Sequence, residues 1–309
     1  MKKDKGKNKG SFWKDVLRDK QLYLMLLPFL VYYIWFYYFP MYGIQIAFKD
    51  YKVFKGITGS SWVGFIHFKN FVNSPFLWRI VKNSFLINIF TLLTEFPLTI
   101  IFALLINEIR KRAFKTTVQT ISYLPHFIST VIVAGLTITF LSPTTGIINI
   151  VLSKFGMSQQ YFLMNPNAFR TVYVVMHCWK SIGFGTIVYT AAMAGIDESL
   201  YEAAEIDGAG RFKKALHITI PQIVPTISIL LIMRLGSLLS VSTETILLLY
   251  QPATYSTADV IGTYVYRVGL VDGQYSYAAA VGLLNSIVSL VLVVGANRIS
   301  KKLSGSGLW

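Results

Sequence analysis

The sequence has few charged residues, few acids and almost no cysteine. Only 14% of its 309 residues are charged, whereas soluble domains contain about 25%. Together with an apolar share of 54%, this shortage excludes an ordinary soluble globule. The single cysteine, Cys178, excludes an internal disulfide and a multi-cysteine metal site. The four histidines, His67, His126, His177 and His217, lack the paired spacing of a helical metal site, so no metal is expected.

Six apolar stretches approach or exceed the length that a membrane requires. A hydrocarbon core about 30 Å thick needs roughly 20 mostly apolar residues per helix. The stretches lie at 22–39, 85–106, 118–141, 171–194, 223–241 and 278–296, and the first can extend to residue 48. The first stretch follows a basic tail, as a secretory signal does, but it is aromatic and lacks a small-residue cleavage site. It is therefore interpreted as a retained helix, and the sequence predicts an all-α membrane protein with six transmembrane helices.

The basic residues are unevenly distributed along this pattern. They outnumber the acids 29 to 14, and the net charge is +15. Eighteen of the 29 lie at 1–20, in the loops after the second and fourth stretches, and near the C-terminus. Because cytoplasmic segments hold the excess of Lys and Arg, both termini are predicted to be cytoplasmic. The tail then contacts membrane lipid in a multi-pass protein of the plasma membrane. With no soluble domain to organise it, the charge does not indicate nucleic-acid binding.

The cytoplasmic loop at 196–221 is unusually acidic, with five of the 14 acids between Asp197 and Asp207. Ser199 and Glu202 have the spacing of a capping box. Gly208 suits the left-handed conformation at a helix C-terminus. An interfacial helix on lipid is one interpretation, but the acids would face an anionic leaflet. A docking surface for a cytoplasmic protein explains them better.

This loop resembles a known motif. Glu202-Ala203-Ala204, then Gly208, then Ile218-x-Ile220-Pro221 is similar to the EAA loop of ABC-importer permeases, with isoleucine 220 in the place of leucine. The residues that agree with the maltose-type, carbohydrate-importing branch are Tyr123-Leu124-Pro125, Gly146-Ile147-Ile148-Asn149 and Trp179. The resemblance covers roughly 68–296. The first helix, 62–71 and 307–309 are most similar to the LplB/YteP-like oligosaccharide permeases.

The resemblance implies an ABC type I importer permease fold. Its parts would be a basic tail at 1–20, a first helix and outer loop at 21–82, a core at 83–299 containing the coupling loop at 196–221, and a tail at 300–309. The chain would form the oligosaccharide pathway with a second homologous permease, a homodimer being the less favoured arrangement. Its other partners would be two copies of a cytoplasmic ATPase and an extracellular solute-binding lipoprotein.

The resemblance also implies which residues contact the ATPase. These are Glu202, Ala203, Ala204, Asp207, Gly208 and Pro221. The chain has no Gly-x4-Gly-Lys-Ser/Thr phosphate loop, so ATP and Mg²⁺ would be bound by the ATPase subunits. We expect no catalytic residue and no cofactor in this chain, which would not be an enzyme.

Positions that match sugar contacts in the family fall on two helices. Met233, Gly236, Ser237 and Ser240 are spaced to share one helical face, and Ser181 and Phe184 lie on the preceding helix. Close helix packing explains glycine and serine equally well, and a phenylalanine facing the core or lipid explains Phe184.

Four ionisable residues fall within or beside the predicted spans: Glu95, Lys180, Arg234 and Glu244. A charge there costs about 2.5–3.5 kcal/mol on insertion scales, so each needs a partner or water. Lys180 or Arg234 is expected to pair with Glu95 or Glu244, or to bind an acidic sugar in the pathway.

Two other functions fit the composition. A stand-alone secondary transporter of a polar solute places its site on broken helices of internal repeats; no convincing repeat is present, and the acidic loop has no purpose there. A membrane-embedded enzyme lacks support from paired carboxylates or metal-spaced histidines.

Overall fold

The computed structural model describes residues 18–304, and the chain divides into two compact units, 1–66 and 67–309. Most of the predicted tail at 1–20, and residues 305–309 of the predicted C-terminal tail, lie outside the described residues.

The first unit consists of one long helix followed by a small hairpin. Helix α1 (Lys20–Phe48) includes the predicted stretch 22–39 and continues to residue 48, and none of its apolar window is buried. Strands β1 (Lys49–Asp50) and β2 (Ser61–Trp62) pair antiparallel, with Lys49 opposite Trp62. Between them lie a 3-10 turn (Val53–Lys55) and the short α2 (Gly56–Gly59). Lys49 donates to the Ile57 carbonyl at 2.6 Å and closes this loop.

The second unit is helical. In chain order its helices are α3 (Ile66–Val72), α4 (Leu77–Asn107), α5 (Arg112–Phe127), α6 (Thr130–Phe140), α7 (Ile147–Lys154), α8 (Pro166–Ala194), α9 (Glu198–Ile206), α10 (Arg211–Gly236), α11 (Thr243–Leu249), α12 (Tyr255–Ala258), α13 (Ile261–Tyr266) and α14 (Tyr275–Ser304). A π-helical turn, Arg267–Val271, extends α13.

Fewer helices than predicted are long and apolar enough to span a membrane. Within residues 18–304 four qualify, Lys20–Phe48, Leu77–Asn107, Arg211–Gly236 and Tyr275–Lys302, and the bent pair α5–α6 makes five at most. The predicted span 171–194 lies in α8, which has 29 residues but is not among the sufficiently apolar helices.

The predicted span 118–141 is wrong as a single helix, because α5 and α6 meet at an angle of 96°. Pro125 lies in the last turn of α5, where its ring and missing N–H disfavour continuation. Ile128 and Ser129 are extended. Ser129 then accepts the Ile132 N–H at 3.3 Å and starts α6 as its N-cap.

The predicted span 223–241 is also wrong at its end, because α10 stops at Gly236. Three serines at 237, 240 and 242 follow, and serine side chains compete with helical hydrogen bonds. The side-chain amide of Asn88 in α4 donates to the carbonyls of Ser237 and Leu238, at 3.3 and 2.7 Å. The broken end is therefore capped from a neighbouring helix.

Glycines permit close packing at two helix crossings, of α8 with α5 and of α10 with α14. A Cβ on Gly183 would overlap the carbonyl oxygen of Ser122 in α5, and a Cβ on Gly236 would overlap Val293 in α14. Small residues permit such approaches between apolar helices. Cys178 is buried in the core formed by α4, α6, α8, α11 and α12.

Candidate functional site

The acidic loop forms a short helix, α9, held at its start by Asp197. The Asp197 carboxylate accepts the Ser199 N–H at 3.0 Å, and Asp197 is the N-cap. The predicted capping box of Ser199 and Glu202 is therefore wrong, because Ser199 already lies inside the first turn. The Ser199 backbone N–H holds the pKa of the Asp197 carboxyl below its usual value, since this bond favours the charged form.

Gly208 terminates α9 as predicted, with φ of +72°. Its N–H bonds to the Glu205 carbonyl at 3.0 Å, and the Ala209 N–H bonds to the Ala204 carbonyl at 2.8 Å. These two bonds form a Schellman motif, which satisfies the last carbonyls of the helix. The loop is therefore a preformed helix with a defined beginning and end.

Two side-chain contacts attach α9 to the base of α10. The hydroxyls of Tyr201 and buried Thr219 lie 2.9 Å apart, and Lys214 pairs with Glu205 at 3.4 Å. Tyr201 and Thr219 were not predicted from the sequence, although Tyr201 directly precedes the Glu-Ala-Ala motif. These contacts hold α9 against the first turns of α10.

The outward face of α9 combines acids with apolar side chains. Glu202, Ala203, Asp207, Gly208 and Pro221 are exposed, and Ala204 is half-buried. Ile206 and Phe212 are 88% and 80% exposed, and neither was singled out from the sequence. We call Glu202, Ala203, Ile206 and Phe212 the docking face, after the docking role that the sequence predicts for this loop.

Substitution of Asp197 tests the start of α9. In Asp197→Ala, we expect faster amide hydrogen exchange across 198–206 at pH 7, because the first-turn N–H groups lose their acceptor. Because folding lowers the pKa of Asp197, its charged carboxylate stabilises the folded state at neutral pH. This contribution is lost as the pH falls through the pKa that Asp197 has in the folded state. The difference should therefore shrink as the pH falls below the usual pKa of an aspartate, about 3.9. Asp197→Asn is the control and should exchange like the parent; equal exchange in all three at pH 7 would contradict the assignment.

A second cluster joins α4, α8 and α10. Glu95 is 7% exposed at its side chain; Arg234 donates to its Oε1 at 2.6 Å, and His177 Nε2 lies 3.2 Å from Oε2. Ser181 Oγ lies 3.5 Å from the same His177 nitrogen. Of the pairs expected, the structure thus contains Arg234 with Glu95. From its sequence position, His177 was weighed only as a metal ligand, and its contact with Glu95 was not predicted.

The polar stripe continues along α8 toward the α5–α6 break. Lys180 donates to Thr130 Oγ1 at 2.9 Å, directly after the bend. Phe184 stacks on His126 of α5, with ring centroids 3.9 Å apart and planes 2° apart. His177, Lys180, Ser181 and Phe184 recur at i, i+3, i+4 and i+7, which places them on one face of α8.

The predicted face of Met233, Gly236, Ser237 and Ser240 is not formed. Since α10 ends at Gly236, Ser237 and Ser240 lie beyond the helix. Gly236 packs against Val293, as the packing interpretation states. Met233 is 58% exposed, and Ser237 Oγ donates to the Arg234 carbonyl at 3.0 Å.

Glu244 lies apart from these charges. It is exposed in the first turn of α11. Among the residues that the structure describes, 18–304, no ion pair includes Glu244 or Lys180. No group of His, Cys, Asp and Glu in this same part of the chain could hold a metal ion.

Removal of Glu95 tests the intramembrane pair. Glu95→Ala leaves Arg234 and His177 without a carboxylate, and we expect a loss of about 2–3 kcal/mol, less than for a fully buried pair because Arg234 is half-exposed. Thermal unfolding of the purified protein measures it. Adding Arg234→Met should recover part of the loss, since the uncompensated charge is gone. Glu244→Ala is the control, expected within about 0.5 kcal/mol of the parent; equal effects of the two glutamates would contradict the pairing.

Comparison with known proteins places this geometry among transport proteins. The family model described as "Binding-protein-dependent transport system inner membrane component" matches residues 95–305. The chain is 44% identical over 302 residues to Protein LplB of Bacillus subtilis, covering 97% of this chain and 95% of that protein. It is 42% identical over 294 residues to the polygalacturonan/rhamnogalacturonan transport system permease protein YteP of the same organism, covering 95% and 92%.

Two solved structures are similar over almost the whole chain. One is a chain of a bacterial ABC transporter involved in the import of the acidic polysaccharide alginate, with 47% identity, a TM-score of 0.88, and coverage of 95% of this chain and 99% of that chain. The other belongs to a bacterial alginate ABC transporter in complex with an alginate pentasaccharide-bound periplasmic protein, with 47% identity, a TM-score of 0.88, and coverage of 96% and 99%.

Proposed function

Because this chain belongs to the family of binding-protein-dependent transport system inner membrane components, we propose that it is one permease subunit of an ATP-driven oligosaccharide importer. It is a multi-pass protein of the inner membrane. The single observation that carries the proposal is α9, a capped, exposed and anchored helix at the position of the EAA motif.

The docking face supports a cytoplasmic ATPase as the partner of α9. The exposed side chains of Ile206 and Phe212, together with the small Ala203, offer an apolar surface to a partner. The acids of the loop disfavour association with an anionic lipid leaflet. The Tyr201–Thr219 contact links α9 to α10, which carries Arg234. Closure of two ATPase copies, which bind the ATP and Mg²⁺, would move this helix and the wall of the pathway together.

We assign six transmembrane spans to the chain. Four are the long apolar helices α1, α4, α10 and α14. The other two are α8, which is less apolar, and the bent pair α5–α6. The polar stripe of α8 explains its lower hydropathy: His177, Lys180 and Ser181 interrupt the apolar run. Backbone that is not helical is tolerated at membrane depth only inside protein or beside a water-filled cavity. The bend at Ile128 and Ser129, next to Lys180, therefore supports a pathway wall.

The substrate class follows from the relatives and from the charge of this wall. Relatives transport polygalacturonan or rhamnogalacturonan, and alginate, so we propose an acidic oligosaccharide, delivered by an extracellular solute-binding lipoprotein. Along this wall, the cations Arg234 and Lys180 exceed the single carboxylate, Glu95, and Arg234 is 49% exposed. A second homologous permease would supply the other half of the pathway.

Reconstitution of the complete importer tests the proposal against secondary transport. Proteoliposomes containing this chain, its partner permease and the ATPases should accumulate alginate pentasaccharide or trigalacturonate only with ATP inside and binding protein outside. Uptake by this chain alone, driven by an ion gradient without ATP, would instead establish a secondary transporter. Undiminished uptake by Lys180→Ala and Arg234→Ala variants that assemble normally would exclude these residues from the pathway.

A further inference from the structure

A polar cavity of about 600 Å³ opens among α3, the start of α4, the turn after α13 and the start of α14. By the charge distribution, these segments lie at the outer face. The cavity is separate from the Glu95 cluster, and no function discussed above uses it. The residues that carry the argument are Asn73, Phe76, Tyr264, Arg267, Gln274 and Tyr277.

The rim of the cavity carries polar groups that the fold does not use. Among the described residues, no hydrogen bond involves the side chains of Asn70, Asn73, Asp272 or Gln274, and all four are exposed. An amide offers two donors and two acceptor lone pairs, and a carboxylate accepts several bonds. Such a set can bind adjacent hydroxyl groups, each of which both donates and accepts.

The floor of the cavity is aromatic. Tyr264 is 6% exposed, and its hydroxyl lies 3.1 Å from that of Tyr277. Phe76, 43% exposed, stands beside them, with its ring centre 6.1 Å from that of Tyr264. Aromatic side chains give large contact areas together with a polar edge, and the C–H face of a pyranose ring suits such a floor.

The charges at the cavity cancel. Asp259, fully buried, pairs with Arg267 at 2.7 Å and with Arg79 at 3.2 Å, so two guanidinium groups share one carboxylate. Asp272 on the rim supplies the second negative charge. The cavity therefore has little electrostatic preference, unlike the cationic wall around Glu95, and would recognise hydroxyl groups rather than a carboxylate.

We infer that this cavity is a carbohydrate-binding site at the outer face, which holds one or two sugar units of the oligosaccharide through their hydroxyl groups. The inference rests on the proposed function, since it takes the oligosaccharide as the substrate. A loop of the solute-binding protein is the other occupant that the test must distinguish. The unused amides around an uncharged aromatic floor favour the sugar.

Saturation-transfer difference NMR on the importer in nanodiscs, without the binding protein, tests this site. The probes are trigalacturonate and alginate pentasaccharide. The variant Asn73→Leu/Gln274→Leu removes two exposed amides, and Gln159→Leu/Asn167→Leu is the matched control, since Gln159 and Asn167 are exposed and lie outside the cavity. We expect the first pair to weaken binding about tenfold or more, and the control to leave it unchanged. The part of the binding that Asn73→Leu/Gln274→Leu removes should change little between 0.1 and 0.5 M salt, because the cavity has no net charge to be screened.

Three results would overturn the inference. They are the absence of binding of both probes to the parent importer, equal binding by both double variants, and loss of binding-protein association in the cavity variant with sugar binding intact. ATP-driven uptake of the same sugars, measured on the same preparation, reports separately on the proposed function. Uptake without cavity-dependent binding would contradict only this site, and binding without ATP-driven uptake would contradict only the importer.

Discussion

Alanine in place of Gly183 is expected to prevent the assembly of the second unit. The new Cβ would overlap the Ser122 carbonyl oxygen, and both atoms belong to helices that cannot move apart without disturbing the core. Overpacking typically costs 1–3 kcal/mol; we expect about 3 kcal/mol or more here because backbone is involved. The yield of monodisperse protein and its apparent Tm measure the effect.

Gly135→Ala is the matched control for Gly183→Ala. Gly135 lies in α6, is exposed and has no atom within 4 Å of a built Cβ. Alanine stabilises a helix by up to about 1 kcal/mol relative to glycine, so this variant should unfold no earlier than the parent. If Gly183→Ala behaves like Gly135→Ala, the close crossing of α5 and α8 is wrong.

Tryptophan in place of Ala203 is expected to uncouple ATP hydrolysis from transport. Ala203 lies in the docking face with Glu202, Ile206 and Phe212, and a large side chain there would hold the ATPase away. We expect transport to fall about 100-fold, the equivalent of about 2.8 kcal/mol. Stimulation of ATPase activity by loaded binding protein should disappear, while membrane insertion stays normal.

The bend at Gly208 offers a second route to the same result. Gly208→Val forces a β-branched residue into a φ of +72°, which is strongly unfavourable, and should disrupt the Schellman motif. Ala113→Trp is the control, since Ala113 is an exposed alanine at the start of α5. Retained ATPase stimulation in Ala203→Trp, or an equal loss in Ala113→Trp, would contradict docking on α9.

The structure of the acidic loop at 196–221 was predictable from the sequence because its signals are local. Gly208 is a single-residue signal for a left-handed terminus, and the glycine conformation was confirmed. The cap was misassigned to Ser199 because Asp197, two residues earlier, has an equally suitable side chain. Tyr201 was missed because its partner, Thr219, is 18 residues away, and a spacing pattern within one helix cannot report such a contact.

The breaks in the helices were harder to predict. Hydropathy joined α5 and α6 because the residues at the bend are themselves apolar or small, although Pro125 and Ser129 were visible as a stop and a start. Likewise, the prediction that Met233, Gly236, Ser237 and Ser240 share one face required a helix that continues past Gly236. The helix ends there, and serines follow. Arg234 pairs with Glu95 and not with Glu244 because the packing of the helices brings α4 within reach of the Arg234 side chain on α10. A pattern within one segment cannot predict how two helices pack.

The bend between α5 and α6 has a consequence for biogenesis. At 1.5 Å per residue, the 11 residues of α6 extend about 16 Å, only half of the hydrocarbon thickness. The Thr130 hydroxyl at the bend finds its partner, Lys180, on a helix that is synthesised later. Gly183 of the same helix provides the space into which Ser122 of α5 packs. During translation, residues 112–140 must therefore wait at the interface or beside the insertion machinery until α8 emerges. A chain truncated and released at about residue 160 should be recovered as an incompletely inserted, protease-sensitive species. One truncated and released past residue 200, which contains all of α8, should be protected.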